Sequence, residues 1–271
     1  MSDPKSLIAR VATTDLHMHS VFSSDGNDTL ADMADAAWRS GLQTVCFTEH
    51  VDNNPRDTGY GFYRYDAYSA AIEQVREAFA GRLEILKGIE FAEPHLHRKA
   101  LEREMARDYD MIIGSLHCLG PWYFGEPQMM EQYTREGIFA QYYKELEDMV
   151  RLGGFDVLGH VGFPCRFIGD FPMPDAAAQT LAGLLAGSGI LPEINTSGFR
   201  KGYLKTLPDE NFLRIYRACS DGFVTIGSDA HRTSEPAGDL DQAITVMQSV
   251  GLTPVVFRQR RAELMRQEAV R

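Results

Sequence analysis

Seven short apolar segments, rich in valine and isoleucine, recur along the chain and are separated by longer stretches with helical spacing. The segments cover residues 11–17, 43–48, 84–91, 110–116, 155–160, 189–194 and 223–227. Nearly continuous apolar runs bounded by polar residues are typical of strands that are buried on both faces. The pattern therefore predicts the strands of a parallel sheet.

Four of the intervening stretches place apolar residues three or four positions apart, as in helices that bury one face. These stripes are Leu30, Met33, Ala34, Ala37 and Trp38; Tyr68, Ile72, Val75 and Phe79; Phe139, Tyr142, Tyr143, Leu146, Met149 and Val150; and Leu240, Ile244 and Met247. We expect their aromatic and methionine side chains to belong to the core. Asn27 or Asp28 is the predicted N-cap of the first helix, and Gly41 marks its predicted end.

Strands that alternate with helices imply a parallel sheet, and seven repeats fit a closed barrel better than an open sheet. The chain shows no linker, low-complexity tract or shift in composition, so residues 1–271 are predicted to form one domain. The predicted fold class is α/β, with a TIM-like (β/α)7 barrel. Residues 118–133 are predicted to form a long loop over one end of the barrel, and the charged tail after Pro254 is predicted to be helical.

The composition is that of an ordinary globular protein, with 44% hydrophobic and 24% charged residues in a chain of 271. The 27 basic and 38 acidic residues give a net charge of −11, which argues against a general nucleic-acid or membrane surface but allows a small basic pocket. The four cysteines form no Cys-x-x-Cys pair, and we expect them to be buried thiols. With no secretory signal and no 18-residue apolar run, the sequence predicts a cytoplasmic protein that does not associate with membranes.

Histidine side chains cluster at or just past the ends of the predicted strands. Six of the eight histidines lie there, namely His17, His19, His50, His117, His160 and His231. In a parallel barrel the carboxyl ends of all strands meet at one face, where the active site forms. Six unrelated core histidines would seldom fall at successive strand ends. We therefore expect these residues to converge at one site with Glu90 and Asp229, which also follow strands.

Histidine and carboxylate ligands without cysteine fit Zn, Mn or Fe. Nine side chains are candidate ligands: His17, His19, Asp25, His50, Glu90, His117, His160, Asp229 and His231. That number exceeds what one ion can hold, so the pattern predicts a multinuclear centre with one bridging carboxylate. Such centres hydrolyse substrates by making a hydroxide at neutral pH and by clamping the attacking and leaving oxygens.

The ordered motifs resemble those of the PHP (polymerase and histidinol phosphatase) superfamily. Asp-x-His-x-His with a following Ser-x-Asp-Gly, then Thr-Glu-His, Gly-x-Glu, Gly-Ser-x-His, Gly-His, Glu-x-Asn and Gly-Ser-Asp-Ala-His occur in this order between Asp15 and His231. Residues 87–95 are particularly similar to the stand-alone histidinol-phosphatase branch. The resemblance implies a distorted seven-stranded barrel that holds three divalent metal ions.

The resemblance also implies a division of the ligands among the three ions. The first ion would take His17, His19, Glu90 and Asp229; Glu90 would bridge to a second held by His117 and His160; the third would take Asp25, His50 and His231. Some family members have histidine at the position of Asp25, which leaves the identity of the third metal open. Arg166 and Arg200 are the candidate phosphate-binding residues, because a guanidinium group matches phosphate oxygens.

The implied function is metal-dependent hydrolysis of L-histidinol phosphate to L-histidinol and phosphate, in histidine biosynthesis, by attack of a metal-bridging hydroxide. A PHP-type phosphodiesterase or 3′-exonuclease, or another small-molecule phosphatase, is the alternative. The negative net charge and the lack of a basic run with interleaved aromatics oppose a nuclease. An amidohydrolase would usually need a lysine after a later strand, and no lysine stands at a strand end. A non-enzymatic scaffold would have lost several ligand positions.

The remaining polar residues near the strand ends have supporting or no chemical roles in this interpretation. Asp15, Glu49 and Asp52 are candidates to orient ligands from behind, and Glu193 either does so or lines the pocket. His95 and His97 are interpreted as loop residues, more often solvated than ligating. The chemistry does not require Ser115, Cys118 or Cys165.

Overall fold

The computed structural model describes residues 13–265, which form strands alternating with helices. The strands are β1 Thr14–Met18, β2 Thr44–Val51, β3 Glu84–Ala92, β4 Met111–Ser115, β5 Cys118–Leu119, β6 Trp122–Tyr123, β7 Val157–Leu158, β8 Leu191–Asn195, β9 Phe223–Gly227, β10 Thr253–Arg258 and β11 Arg261–Leu264. The helices are α1 Leu30–Arg39, α2 Tyr65–Ala78, α3 Arg98–Met105, α4 Pro127–Gln132, α5 Arg135–Leu152, α6 Cys165–Ile168, α7 Asp175–Ser188, α8 Ser197–Arg200, α9 Glu210–Cys219 and α10 Leu240–Val250. No helix in this part of the chain is long and apolar enough to cross a membrane.

The seven predicted strands are confirmed as β1, β2, β3, β4, β7, β8 and β9, although residues 11 and 12 lie outside the described residues. They follow one another in this order, and every neighbouring pair is parallel. The barrel closes just past β1 and β9, where His19 N donates to Ala230 O at 2.8 Å and Asp229 N donates to His17 O at 2.8 Å. Closure by so few bonds, with a bulge in β1, makes the barrel distorted.

Apolar side chains fill the barrel beneath the strand ends. Cys46, Leu86 and Leu191 belong to one buried cluster, and polar residues follow on the same side of these strands two or four positions further along. The larger cluster lies between the strands and the surrounding helices and includes most of the predicted helical stripes. Trp38 is an exception at 41% exposed, since it lies under the Arg82 guanidinium on the outer surface. Cys219 is also exposed, so the prediction of four buried thiols is wrong for this residue.

The predicted N-cap of α1 is wrong by one or two positions. Thr29 caps the helix, because its hydroxyl accepts a hydrogen bond from Asp32 N at 3.1 Å. Asp28 instead accepts a bond from Thr233 N at 2.6 Å, and Asn27 contacts the His231 carbonyl. Both residues thus join the first helix to the segment after β9.

Two predictions for irregular segments are also wrong. Residues 118–133 are not a plain loop, since β5 and β6 form a small antiparallel hairpin and α4 follows it. The tail is not helical: β10 pairs with β9 in parallel, and β11 returns antiparallel to it. Val255, Val256 and Phe257 pack into the cluster inside the barrel, and this burial favours a strand over a helix. Residues 266–271 lie outside the described part of the tail.

Candidate metal centre

Glu90, near the end of β3, lies in the middle of a cluster of histidine rings on the face where the strands end. Its Oε1 is 2.6 Å from His160 Nε2 and 3.2 Å from His117 Nε2. Its Oε2 is 3.1 Å from His50 Nδ1 and 3.2 Å from His17 Nε2. Because Glu90 is only 1% exposed, one buried carboxylate contacts ring nitrogens that four different strands supply.

Two further carboxylates complete the cluster. Asp229 Oδ1 lies 3.6 Å from His19 Nε2 and 3.5 Å from His231 Nδ1. Asp25, which is more exposed, places Oδ2 3.2 Å from His231 Nε2 and Oδ1 3.5 Å from His50 Nε2. The structure thus brings all of the predicted ligand residues to one face of the barrel.

The geometry groups these residues into three overlapping sets, within each of which all donor atoms lie within 4.8 Å of one another. The sets are His17, His19 and Asp229; His50, Glu90 and His117; and His19, His50 and His231. His50 thus belongs to two of the three sets, one with Glu90 and His117 and one with His19 and His231. Its two ring nitrogens contact different carboxylates, one of Glu90 and one of Asp25.

Divalent metal ions fit this donor set. His19 Nε2 and His50 Nδ1 are buried and have no hydrogen-bond partner within the described residues, the latter despite its 3.1 Å approach to Glu90. A buried polar atom without a partner is destabilising, and a cation would satisfy both lone pairs. Ligand atoms about 2.0–2.2 Å from one ion in a tetrahedral site lie about 3.3–3.6 Å apart. Most separations across this cluster are close to that range.

The cluster holds its carboxylates in the ionised form. Burial opposes ionisation of Glu90, but the imidazolium groups of His17 and His117 outweigh it and hold the pKa of Glu90 well below its usual range. Burial likewise opposes protonation of His50, yet Asp25 and Glu90 raise the pKa of His50 to about 10. A metal ion that binds here would therefore displace protons from the histidine rings. The ionised carboxylates that it needs already surround these rings.

Three residues at this face adopt left-handed backbone conformations that are unfavourable for non-glycine residues. They are Glu93, His160 and Asp229, with φ of 46°, 24° and 57°. Hydrogen bonds hold each of them in place. Glu93 Oε1 accepts bonds from His117 N at 2.7 Å and Cys118 N at 3.0 Å, while Asp229 N donates to His17 O at 2.8 Å. Glu93 is a supporting residue that sequence reasoning missed, although its position just past β3 was a usable signal.

Buried carboxylates that were expected to support the ligands lie behind the cluster. Asp15 accepts bonds from Ser228 N at 2.8 Å and Ala237 N at 3.1 Å, and so ties β1 to the segment after β9. Asp52 is less engaged, since its Oδ1 is 3.9 Å from His117 Nδ1. His95 lies away from the cluster and pairs with Glu145 at 3.3 Å.

A cavity of about 350 Å³ opens over the cluster. Arg166 lines it and donates from Nη1 to Asp229 Oδ2 at 3.0 Å and to Ser197 Oγ at 3.2 Å, while its buried Nε has no partner within the described residues. Arg200 lies behind the cavity wall, where its Nη2 donates to the carbonyls of Ser228 and Asp229.

Sequence reasoning missed the aromatic and basic residues around the cavity mouth. Tyr123, Phe163 and Phe167 supply aromatic walls, and Lys201 and Arg232 add positive charge. Tyr123 lies in β6, within the stretch that the sequence predicted as a loop, so no strand-end rule pointed to it.

Comparisons with known proteins agree with this architecture. The PHP domain family matches residues 15–197, which is more than half of the chain. The chain belongs to the PHP domain family. A Deinococcus radiodurans relative named "Probable histidinol-phosphatase" is 31% identical over 92% of this chain and 98% of its own length. The Bacillus subtilis "Histidinol-phosphatase" is 25% identical over 84% of this chain and 96% of its own length.

A solved structure from the same family has the same fold. It is the histidinol phosphate phosphatase of Lactococcus lactis, complexed with zinc, L-histidinol and phosphate. Its TM-score to this chain is 0.83, with 93% of this chain and 99% of the other covered, at 21% sequence identity. This likeness shows that the two chains share the barrel fold.

Proposed function

We propose that this protein is a metal-dependent phosphomonoesterase that hydrolyses L-histidinol phosphate to L-histidinol and phosphate. The observation that carries the proposal is the convergence of six histidines and three carboxylates beneath a cavity that Arg166 also lines. Full-length similarity to proteins named histidinol-phosphatase supports the choice of substrate. With this function, the chain would form one catalytic domain and would act in the cytoplasm, where amino-acid biosynthesis takes place.

Three divalent ions, of Zn, Mn or Fe, would be held by the clustered residues. His17, His19, Glu90 and Asp229 would hold the first; His117 and His160, with Glu90 as bridge, the second; and Asp25, His50 and His231 the third. When bound, such ions supply a water of lowered pKa as nucleophile and Lewis acidity at the phosphoryl oxygens. His50 would lie at the junction of the second and third positions, and its contacts with both Glu90 and Asp25 support this proposal.

The residues of the chain itself would bind and orient the phosphoryl group. Arg166 is fixed by Asp229 and Ser197, and its guanidinium lies 4.8 Å from the ring centre of Phe163. A guanidinium held this way can donate to phosphoryl oxygens without losing much side-chain entropy. Arg200 would help indirectly, because it holds the Ser228 and Asp229 carbonyls.

A comparison of substrates tests the proposed function. Zinc- or manganese-loaded protein should release phosphate from L-histidinol phosphate much faster than from phosphotyrosine or a simple sugar phosphate, and should leave a single-stranded oligonucleotide intact. Efficient shortening of the oligonucleotide from its 3′ end would favour the phosphodiesterase alternative. Failure to cleave L-histidinol phosphate by protein that cleaves another phosphomonoester well would refute the assigned substrate.

Replacing Arg166 by alanine is expected to raise KM for L-histidinol phosphate about 10- to 100-fold, because a hydrogen bond to a charged group contributes about 1.5–3 kcal/mol. Arg200→Ala is expected to raise KM less, since Arg200 does not line the cavity. Steady-state kinetics measure both, with Arg214→Ala on the outer surface of α9 as the matched control. Wild-type KM values in both Arg166→Ala and Arg200→Ala would show that neither residue contributes to phosphate binding.

A further inference from the structure

Two buried carboxylates behind the cluster each hold two of the candidate ligand histidines. We propose that Glu193 and Glu49 are positioning residues that fix the ring tautomers of His17 and His19, Glu193 directly and Glu49 through the Ser23 hydroxyl. The inference rests on the proposed metal centre. In this inference, the two carboxylates keep the Nε2 lone pairs of His17 and His19 free to bind metal.

Glu193 contacts hydrogen-bond donors with both of its oxygens. Its Oε1 lies 2.7 Å from His17 Nδ1, and its Oε2 accepts from His160 N at 2.9 Å and from Asn195 Nδ2 at 3.1 Å. The Asn195 amide is fixed in this orientation, because its Oδ1 accepts from Ser197 N at 3.0 Å. An ionised carboxylate only accepts hydrogen bonds, so when the ring is neutral, as metal binding requires, the one proton of His17 must lie on Nδ1.

The backbone at Gly227 leaves room for the pair of His17 and Glu193. A Cβ atom at Gly227 would lie 2.3 Å from His17 Cβ and 2.5 Å from Glu193 Oε1, so only glycine leaves room for the ring and the carboxylate together. In the neutral ring with its proton on Nδ1, Nε2 would present its lone pair on the side of the metal cluster, where it lies 3.2 Å from Glu90 Oε2.

Glu49 acts on His19 through one intervening hydroxyl. Ser20 N, Ser20 Oγ and Ser23 Oγ all donate to Glu49, at 3.1, 2.6 and 2.6 Å. The Ser23 hydroxyl has a single proton, which it donates to Glu49. Its oxygen must therefore accept hydrogen bonds from its other two neighbours. These are His50 N at 2.9 Å and His19 Nδ1 at 3.1 Å. His19 therefore also carries its proton on Nδ1, and its Nε2 is the buried atom without a partner within the described residues.

The two supports, Glu193 for His17 and Ser23 with Glu49 for His19, differ in the charge of the group that contacts the ring. His17 donates directly to a carboxylate, which makes its Nε2 the more electron-rich ligand, whereas His19 donates to a neutral hydroxyl. Each support also holds the backbone of a second candidate ligand, since Glu193 accepts from His160 N and Ser23 from His50 N. Loss of the Glu193 carboxylate or of the Ser23 hydroxyl should therefore disturb two ligands on different strands.

Zinc affinity of three variants, measured by competition with a chelator, tests the inference. Glu193→Gln must turn an amide N–H toward either His17 or the donors at Oε2, so we expect its zinc affinity to fall about 10- to 100-fold. Ser23→Ala removes the link to His19 and should weaken zinc binding toward the lower end of that range. Glu49→Gln should stay near wild type, because its amide nitrogen can face the Ser20 hydroxyl while its oxygen still accepts from Ser23.

The control separates positioning from general destabilisation. Glu104 is a buried carboxylate far from the cluster that accepts from Tyr109 Oη at 2.7 Å, so Glu104→Gln should bind zinc as the wild type does. In Glu193→Gln and Ser23→Ala, the rise in melting temperature on adding zinc should shrink, whatever the change in the melting temperature of the metal-free protein. A loss confined to the metal-free melting temperature would mean a structural role and would overturn the inference.

Nitrogen-15 spectra of the histidine rings provide a second, independent readout in the zinc-loaded wild type. Both His17 and His19 should carry their proton on Nδ1, and a proton on Nε2 of either ring would refute the assignment. Wild-type zinc affinity in Glu193→Gln and Ser23→Ala would refute it as well, and would leave the proposed phosphatase function intact. A wild-type protein that binds no zinc, manganese or iron would instead overturn both the proposed function and this inference.

Discussion

Replacing Glu90 by glutamine is expected to lower kcat/KM for L-histidinol phosphate by about 1,000-fold or more, or about 4 kcal/mol of transition-state stabilisation. The two carboxylate oxygens of Glu90 lie 2.6–3.4 Å from ring nitrogens of five histidines. Glutamine has nearly the same shape, but its amide nitrogen cannot ligate a metal and would face those rings. The negative charge that draws cations into the buried cluster would also be lost.

Metal content and kinetics of the Glu90→Gln variant measure this effect. We expect fewer than three bound ions, with the deficit in the two positions that Glu90 is proposed to bridge, and a circular dichroism spectrum like that of the wild type. Glu104→Gln serves as the matched control, because it removes the charge of a buried carboxylate elsewhere in the barrel. A Glu90→Gln variant with three bound ions and near-normal activity would contradict the bridging role.

Replacing His17 and Asp25 individually should have different results, although the two residues lie only eight positions apart in the sequence. His17 is fully buried and lies between Glu90 and Glu193, so His17→Ala should lose activity by about 1,000-fold. The Asp25 side chain is 58% exposed, and within the described residues its carboxylate contacts the rings of His50 and His231. Asp25→Ala should therefore mainly remove the third ion and leave the other two bound.

Elemental analysis of the purified variants, alongside phosphate release, separates these outcomes. Asp25→Ala with all three ions still bound would show that Asp25 is not a ligand. Loss of all three ions in Asp25→Ala would show that the positions are not independent. Equal metal content and equal activity in the two variants would contradict the division of this segment between two ions.

The barrel was predictable because its strands are buried on both faces and so appear as continuous apolar runs. The strand-end rule then placed the ligands, since residues from His17 to His231 meet only if the strands are parallel and neighbouring. The tail was not predictable in the same way. Residues 255–257 form a short apolar run that a charged stretch follows, and the residues of β11 are all exposed and show no period. A strand forms in this segment because its backbone pairs with β9 and its apolar side chains fill the space inside the barrel.

Side-chain directions set the limit of prediction within the site. Arg166 and Arg200 are equivalent candidates in the sequence, yet one lines the cavity and the other holds backbone carbonyls of the segment after β9. The cap of α1 shows the same limit. Asn27, Asp28 and Thr29 are chemically similar capping residues, and the contacts of Asn27 and Asp28 with the segment after β9 leave Thr29 as the cap. Such choices depend on tertiary neighbours that are distant in the sequence.

A zinc titration of the metal-free protein, with L-histidinol phosphate as substrate, tests the central claim most directly. Phosphate release is measured at each step, and bound zinc is counted by elemental analysis. We expect no release without metal and full activity only when three equivalents are bound. Release that does not depend on metal, or no release from L-histidinol phosphate after three equivalents have bound, would contradict the proposed trinuclear phosphatase.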